Sequence, residues 1–320
     1  MKLSFEEFPP SVARFLSYKL TIQGCSEKTV YEYSVDLCAF FRYCFRARAD
    51  ENGSVDLAKI SDAEVAGITR QDIYEFLLYA ASVLKNGNAA RARKLCALRG
   101  FFKFLTAKER LLTENPAKDI ESPNVKQALP KFLSLEESRT LLNAVKEHGG
   151  ENTKRDFAIL TLFLNCGMRV SEMAGLSLSA LSSDLARVTV VGKGNKERVV
   201  YLNSACIKAI KDYLELRKGL HCKDENALFV SRNSRRLSVK TIQWLVYKYL
   251  DLAGLGDKKY SVHKLRHTAA TLLYESGNVD VRVLKDILGH EQLTTTQIYT
   301  HVSSDHMKRA MEENPLNDEA

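Results

Sequence analysis

The residues of this chain that could do chemistry are cationic, imidazole and phenolic groups in its second half. Two guanidinium groups, Arg169 and Arg266, could hold the non-bridging oxygens of a phosphodiester and offset the charge that grows during its cleavage. The phenol of Tyr299 could attack the phosphorus and form a covalent phosphotyrosine. The side chains suited to proton transfer are Lys193, His263 and His290. These residue types indicate phosphoryl transfer through a protein-linked intermediate.

Each of these motifs alone also fits a simpler interpretation. A pair such as His263 and Arg266 is usually part of a solvated basic surface, and Tyr299 alone would be a packed aromatic. His263 and His267 are four residues apart, but the glutamate of the H-E-x-x-H zinc motif is missing. Gly192-Lys193-Gly194 lacks the spacing of a phosphate-binding loop. Because the sequence also has no cluster of metal-binding carboxylates, we predict a site without metal or cofactor.

Hydrophobic periodicity and turn residues predict the elements that position these groups. A buried helix over Asp156–Asn165 would end at Gly167 and leave Arg169 at a turn. Glu172, three residues further on, could hold that guanidinium. Two β-branched runs, 187–191 and 197–201, flank a Gly/Asn turn and predict a hairpin with Lys193 at its tip.

The C-terminal part of the sequence reads as further helices. Ser204 could cap a helix, and Ser261 could cap another that runs to Gly277 and presents His263 and Arg266 together. A helix over Val279–Leu288 would end at a Gly289 cap, directly before His290. This half of the chain is therefore predicted to be an α+β domain with a small antiparallel sheet. Its first element is a capped helix from Ser134 toward His148.

The first half of the chain reads as helix only. Four apolar stripes at helical spacing predict a small bundle, and Asp50–Gly67 reads as a loop or a short extra turn. Two prolines without helical or strand period mark 122–130 as a linker. We therefore predict a mainly α protein with a helical domain at 1–121 and a second domain at 131–320.

Composition and charge narrow the classes of protein that fit. With 45% apolar and 27% charged residues, the chain has the balance of a soluble globular protein rather than a disordered or fibrous one. No run approaches the roughly 20 apolar residues of a membrane helix. The seven cysteines form no C-x-x-C pair, which favours free thiols in the cytoplasm. The net charge of +8 lies mostly in the second domain and indicates a polyanionic partner such as nucleic acid.

The motifs taken in order resemble one family. Gly167-Met-Arg169-Val-Ser-Glu172, Gly192-Lys193-Gly194, His263-Lys-Leu-Arg266-His267, Leu288-Gly289-His290 and Tyr299-Thr-His301 closely resemble the tyrosine recombinase/phage integrase family, and within it the bacterial Xer-type site-specific recombinases. The resemblance covers nearly the whole chain, because Gly24–Thr29 and Arg93–Phe102 look like parts of the family's N-terminal core-binding domain.

The resemblance implies a role for each residue. Arg169 and Arg266 would bind the scissile phosphate of double-stranded DNA, and Tyr299 would attack it to give a 3′-phosphotyrosyl intermediate. Lys193 would protonate the 5′-oxygen leaving group. The supporting roles would be proton transfer by His263, a hydrogen bond to the phosphate from His290, and a structural part for His267. Neither metal nor ATP would be needed.

The resemblance also implies an assembly and a cellular role. Four protomers would act on two DNA sites through a Holliday junction. A C-terminal helix at Ser303–Glu313 would pack on the neighbouring protomer, although from its pattern alone it could equally pack within its own chain. The reaction would serve chromosome dimer resolution, and so chromosome partition and cell division, or the integration or resolution of a mobile element. The Asp50–Gly67 stretch looks longer and more acidic than the compact Xer pattern.

Residues that could contact DNA outside the active site are basic or aromatic, and about half of them could be ordinary surface charge. In the first domain they are Lys28, Tyr31, Arg91, Arg93, Lys94, Arg99 and Lys103. In the second domain they are Arg232, Arg235, Arg236 and Lys240. Two other functions fit the same residues: a type IB-like topoisomerase that reseals the same strand, and a catalytically inactive DNA-binding protein.

Overall fold

The computed structural model describes residues 5–125, 131–192, 196–276 and 279–289. The chain divides into two compact units, Met1–Gln127 and Ala128–Ala320, at a boundary inside the stretch predicted as a linker. Lys193, His290, Tyr299 and the predicted helix Ser303–Glu313 lie outside the described residues.

The first unit is built from helices. Four of them carry the four apolar stripes of the sequence, so the predicted bundle is confirmed. The caps are locally encoded, since the side chains of Ser26 and Thr69 each accept a hydrogen bond from the first turn of the helix that follows. The helices are α1 (Pro10–Thr21), α2 (Glu27–Cys44), α3 (Asp62–Ala66), α4 (Arg70–Ser82) and α5 (Asn88–Ala107).

Aromatic side chains fill the core of the first unit. Phe40 meets Phe76 and Phe102 edge to face, and Phe15 meets Phe101 in the same way. All five side chains are buried. Such edge-to-face pairs add roughly 0.5–1.5 kcal/mol each beyond the burial of their area, so this cluster contributes to the stability of the bundle.

The Asp50–Gly67 stretch contains more regular structure than the loop or short extra turn that the sequence predicted. It contains a short 3-10 turn at Leu57–Lys59 followed by α3. Ser61 and Glu64 form a capping box at the N-terminus of α3. Apolar side chains of this stretch enter the core, namely Val55, Leu57, Ile60 and Val65. The pattern escapes sequence analysis because its apolar residues are spaced too irregularly for either helical or strand period.

The second unit surrounds a central buried helix and carries the predicted small sheet. The central helix, α7, packs against α6, α9 and α11. The elements are α6 (Leu135–His148), α7 (Thr153–Cys166), α8 (Val170–Gly175), β1 (Arg187–Val191), β2 (Glu197–Tyr201), α9 (Ser204–Arg217), α10 (Val239–Leu252), α11 (Val262–Glu275) and α12 (Val281–Leu288).

The two strands have the bounds that the sequence predicted. They pair antiparallel, with Thr189 opposite Val199 and Val190 opposite Arg198. Val188, Val190 and Val200 are buried, so one face of the sheet lies on the core. The predominantly helical fold with a small antiparallel sheet is therefore confirmed.

Three helix starts differ slightly from the predictions. Asn203 rather than Ser204 caps α9, with its side chain accepting from the amide of Cys206 at 3.0 Å. Ser261 precedes α11, but its side chain makes no capping bond. Asp280 caps α12, which therefore begins at Val281 instead of Val279. Within the described part of the chain, none of the helices has the length and apolar character needed to cross a membrane.

Candidate active site

Arg169 stands at the turn between α7 and α8, as the sequence predicted. Gly167 ends α7 in the left-handed conformation, with φ of 58°, where a side chain would be strained. The carboxylate of Glu172 accepts from the Arg169 amide at 2.8 Å through Oε2 and from the guanidinium at 2.7 Å through Oε1. Glu172 therefore fixes both the backbone and the side chain of Arg169.

Arg266 is buried rather than part of a solvated surface. It projects from α11 with only 2% of its surface exposed. Its two terminal nitrogens donate to the carbonyl of Gly167 at 2.7 Å and to that of Leu288 at 2.6 Å. A buried guanidinium held by carbonyl dipoles retains its full charge. This arrangement links the end of α7 to the end of α12.

The last carbonyls of α12 are each held by a different arginine. Those of Ile287, Leu288 and Gly289 accept from Arg198, Arg266 and Arg169, respectively. Carbonyls at a helix C-terminus lack intrahelical partners and carry partial negative charge, so they favour cations. The three arginines therefore hold in place the turn that leads into His290 in the sequence.

Gly289 has the conformation that this turn needs. Its φ is 64°, and a Cβ placed on it would stand 2.6 Å from Cδ of Arg198. We expect Gly289→Ala to lower the free energy of unfolding by about 1–2 kcal/mol, the cost of a left-handed alanine, with the collision against Arg198 in addition. Urea denaturation measures the change. Gly175→Ala is the matched control, since no described atom lies within 4 Å of its Cβ position. Equal stability of the two variants would contradict this account.

A cavity of about 430 Å³ brings together three predicted site residues. Arg169, His263 and Arg266 line it, together with Met168, Val170, Ser171 and Val262. Two guanidinium groups and no carboxylate among these lining residues make the cavity suited to an anion. Two roomier cavities, of about 630 Å³ and 490 Å³, contain neither arginine among their described lining residues.

His263 carries a proton less readily than an ordinary histidine. Desolvation comes first among the causes, followed by repulsion from Arg266, Lys264 and Arg169, and together they lower its pKa below 6.5. Its ring lies edge-on to that of His267, with 4.5 Å between the centroids. At neutral pH the imidazole is therefore neutral and able to accept a proton.

The lowered pKa of His263 predicts a pH-dependent stability. As the pH falls through the ordinary value of 6.5, this histidine is protonated in the unfolded chain before it is protonated in the folded protein. Acid therefore favours unfolding through this group. We expect the loss of stability between about pH 7.5 and about pH 5.5 to be smaller in His263→Gln than in the wild type. Denaturant unfolding at both pH values measures it, with exposed His221→Gln as control. An unchanged pH dependence in His263→Gln would contradict the assignment.

Arg198 is the site residue that sequence analysis missed. It contacts both oxygens of Glu172, from Nη2 at 2.9 Å and from Nε at 3.3 Å. A signal was present, because Arg198 lies on the same face of β2 as the buried Val200 and opposite the buried Val190. An arginine at an inward-facing strand position needs a buried partner.

The three remaining catalytic candidates, Lys193, His290 and Tyr299, lie outside the described residues. The hairpin residue before Lys193 is described, however. Gly192 lies close to the ion pair of Arg169 and Glu172. A Cβ added to it would be 3.7 Å from Nη1 of Arg169 and 3.6 Å from Oε1 of Glu172. The base of the hairpin therefore borders the Arg169 site.

Several first-unit candidates for DNA contact are engaged inside the protein. Lys94 is 7% exposed and donates to the buried Asp36 at 3.0 Å, so it is no longer a candidate. Arg93 pairs with Asp36 at 2.8 Å and with Glu32 at 3.0 Å. Arg99 donates to the Ser122 hydroxyl at 2.9 Å and to the carbonyls of Ala117 and Ile120. These contacts give Arg99 a structural role, whereas Arg93 keeps 47% of its side chain exposed and stays a candidate for DNA contact.

The other DNA-contact candidates differ in exposure. Lys28 and Lys103 are exposed, Tyr31 is half-buried, and Arg91 donates to Asn88 at 2.6 Å. In the second unit, Arg236 pairs with Asp224 at 2.7 Å and donates to Leu176 and Ser177. The exposed ones there are Arg232, Arg235 and Lys240.

Comparison with known proteins gives a consistent result. Residues 131–306 match the phage integrase family. Tyrosine recombinase XerC of Caldanaerobacter subterraneus subsp. tengcongensis is 44% identical over 99% of this chain and 91% of its own length. Tyrosine recombinase XerC of Thermodesulfovibrio yellowstonii is 35% identical over 92% of this chain and 93% of its own.

The fold has a counterpart among solved structures. The XerH site-specific recombinase, bound to a palindromic difH substrate in a post-cleavage complex, superposes with a TM-score of 0.73 at 22% identity. The superposition covers 97% of this chain and 95% of that one. The family match covers most of the second unit, and the two XerC relatives align with nearly the whole chain. This chain therefore belongs to the phage integrase family.

Proposed function

We propose that the protein is a site-specific tyrosine recombinase of the Xer type, which cuts and rejoins double-stranded DNA. One observation supports the proposal most: Arg169, Arg266 and His263 line one cavity, and both arginines are fixed by the same helix end. A phosphodiester in this cavity would meet two preorganised guanidinium groups without the cost of ordering them.

The proposed reaction has two mirrored steps. The Tyr299 oxygen forms a bond to phosphorus while the bond to the 5′ oxygen breaks, which leaves a 3′-phosphotyrosyl linkage. Lys193 gives a proton to the departing 5′ oxygen, and His263 accepts the proton that the Tyr299 hydroxyl loses. His290 would donate a hydrogen bond to the phosphate. The 5′-hydroxyl of a partner strand then attacks the phosphotyrosine and releases Tyr299. Each bond broken is replaced, so the reaction needs no ATP.

Arg169 and Arg266 supply the electrostatic part of the mechanism. Negative charge on the non-bridging oxygens increases in the transition state, and a guanidinium has five N–H donors, of which the protein contacts described above use two in each arginine. The others could donate to such oxygens. In this proposal the arginines take the role that a divalent metal plays in other phosphoryl-transfer sites. The reaction should therefore proceed in the presence of a chelator.

The proposed partners are DNA and further recombinase protomers. The domain at 1–121 and the domain at 131–320 would both contact a double-stranded recombination site. Four protomers would join two such sites through a Holliday junction, with Ser303–Glu313 docking on a neighbour. The exposed lysines and arginines among the predicted residues are the candidates for phosphate contacts, which would add salt-dependent affinity. They are Lys28, Arg93, Lys103, Arg232, Arg235 and Lys240.

The XerC relatives support a role in chromosome dimer resolution, and thus in chromosome partition and cell division. Integration or resolution of a mobile element uses the same chemistry. Since the substrate would be chromosomal or mobile DNA and all seven cysteines are unpaired, we place the protein in the cytoplasm.

A plasmid assay tests the proposed function. The protein is incubated with a plasmid carrying two copies of a DNA site that it captures from genomic DNA, with EDTA and without ATP. We expect recombinant circles in which the flanks of the two sites are exchanged. A one-site plasmid serves as control. Relaxation of the one-site plasmid, with no exchange between two sites, would instead identify a topoisomerase, and binding without either product would identify an inactive DNA-binding protein.

A further inference from the structure

Arg198 connects two parts of the site that are distant in sequence. Its guanidinium donates to both oxygens of Glu172 and, through Nη1, to the carbonyl of Ile287, so it holds the partner of Arg169 and the end of α12 at once. These partners are 26 and 89 residues away along the chain. A planar fork with fixed donors can satisfy such a divided set of acceptors, whereas a lysine ammonium has a single nitrogen.

Arg198 stands behind the cavity rather than in its wall. The described residues that line the cavity include Arg169 and Arg266 but not Arg198. Its side chain is 14% exposed, and the Glu172 side chain between it and Arg169 is 0% exposed. The short contact that a Cβ on Gly289 would make with its Cδ shows that the chain at the end of α12 lies directly on this side chain.

The positive charge of Arg198 favours the ionised form of the Glu172 carboxyl. Burial raises the pKa of this carboxyl, but hydrogen bonds from Arg198 and from the Arg169 amide, with the attraction of Arg198, outweigh burial and hold the pKa below its ordinary value. Without Arg198, its hydrogen bonds to Glu172 and its electrostatic attraction are lost, so desolvation raises the pKa of Glu172. A protonated Glu172 would no longer hold the Arg169 guanidinium as an ion pair.

We infer that Arg198 is a positioning residue for DNA strand cleavage, which acts through Glu172 on Arg169 and through Ile287 on the end of α12. The inference rests on the proposed function. Removing Arg198 loosens a phosphate-binding arginine and the turn that precedes His290, while leaving the groups that contact DNA elsewhere unchanged. Because misplacement by about 1 Å can cost a hundredfold in rate, the loss should appear in cleavage and not in DNA affinity.

The test compares full-length variants on a nicked suicide substrate, in which a cleaved strand cannot be rejoined. We expect Arg198→Gln to lower the single-turnover cleavage rate by about 100-fold with an unchanged Kd for DNA. Arg198→Lys, which keeps the charge but not the fork, should recover part of the rate. Arg187→Gln is the matched control, because it removes an exposed arginine from β1 of the same sheet and should cleave like the wild type.

The pH profile of cleavage separates positioning from general loss of stability. In Arg198→Gln, Glu172 should protonate at higher pH, so cleavage should fall on the acid side at a higher pH than in the wild type. That displacement should vanish when Glu172→Gln is added. If Arg198→Gln does not fold, Arg198→Lys decides: slow cleavage with intact binding supports the inference, and wild-type cleavage overturns it.

The outcomes also distinguish this inference from the proposed function. Absence of cleavage by the wild type and Arg187→Gln would overturn the proposed function and the inference with it. Cleavage by both, together with equal cleavage by Arg198→Gln, would overturn the inference alone. Equal losses of cleavage and DNA affinity in Arg198→Gln would also overturn it, since they would make Arg198 a DNA-contact residue.

Discussion

Replacement of Tyr299 by phenylalanine is expected to abolish the covalent protein–DNA adduct while DNA binding persists. The substitution removes only the phenolic oxygen and keeps the aromatic ring. Without that oxygen, no bond from protein to phosphorus can form. Loss of the nucleophile of a covalent enzyme lowers turnover by a factor on the order of a million, which places the adduct below detection.

A suicide substrate and a binding titration measure the two effects separately. Denaturing gel electrophoresis reports the adduct, and a mobility shift reports the Kd. Tyr201→Phe is the matched control, because Tyr201 lies on β2 of the same unit with 75% of its surface exposed. It should form the adduct at the wild-type rate. An adduct of undiminished yield in Tyr299→Phe would show that another residue is the nucleophile.

Replacement of Arg266 is expected to produce the second largest loss. Removing one preorganised donor of charge stabilisation costs about 100- to 1000-fold in cleavage rate. Arg266→Ala should also lower stability, because the carbonyls of Gly167 and Leu288 each lose a donor in a buried place, at about 1–3 kcal/mol per group. Arg266→Lys keeps the charge with fewer donors. It should be more stable than Arg266→Ala but still cleave more slowly than the wild type.

Cleavage rate, Kd and thermal unfolding are to be measured for both variants. Arg139→Ala controls for the loss of one positive charge, since Arg139 is exposed on α6 and pairs only with its helix neighbour Glu136 among its described contacts. We expect it to behave as the wild type. Parallel losses of cleavage and DNA affinity in the well-folded Arg266→Lys would make Arg266 a docking residue and contradict the proposed role.

Local patterns explain the parts of the fold that the sequence predicted well. The two strands are short runs rich in β-branched residues on either side of a Gly/Asn turn, so their bounds are visible in the sequence. The pairing of Arg169 with Glu172 was also predictable, because the two residues are three apart at the start of a helix. In each case the deciding contact is local.

The parts that the sequence did not predict depend on contacts between distant residues. The bond from Arg169 to the Gly289 carbonyl joins residues 120 positions apart, and no pattern near either residue indicates it. Lys94 looked like a surface cation because its partner, Asp36, comes from another helix. Arg198 was missed although its place on the inward face of β2 is visible in the sequence, because its acceptors, Glu172 and the Ile287 carbonyl, come from distant elements.

We propose that Tyr299 forms the covalent link to DNA. The most direct measurement is to trap the wild-type adduct on a suicide substrate labelled at either end of the cut strand, digest the protein, and locate the modified peptide by mass spectrometry. We expect a phosphotyrosyl bond at Tyr299 to the 3′ end of the cut strand. A linkage to any other residue, or to the 5′ end, would contradict it.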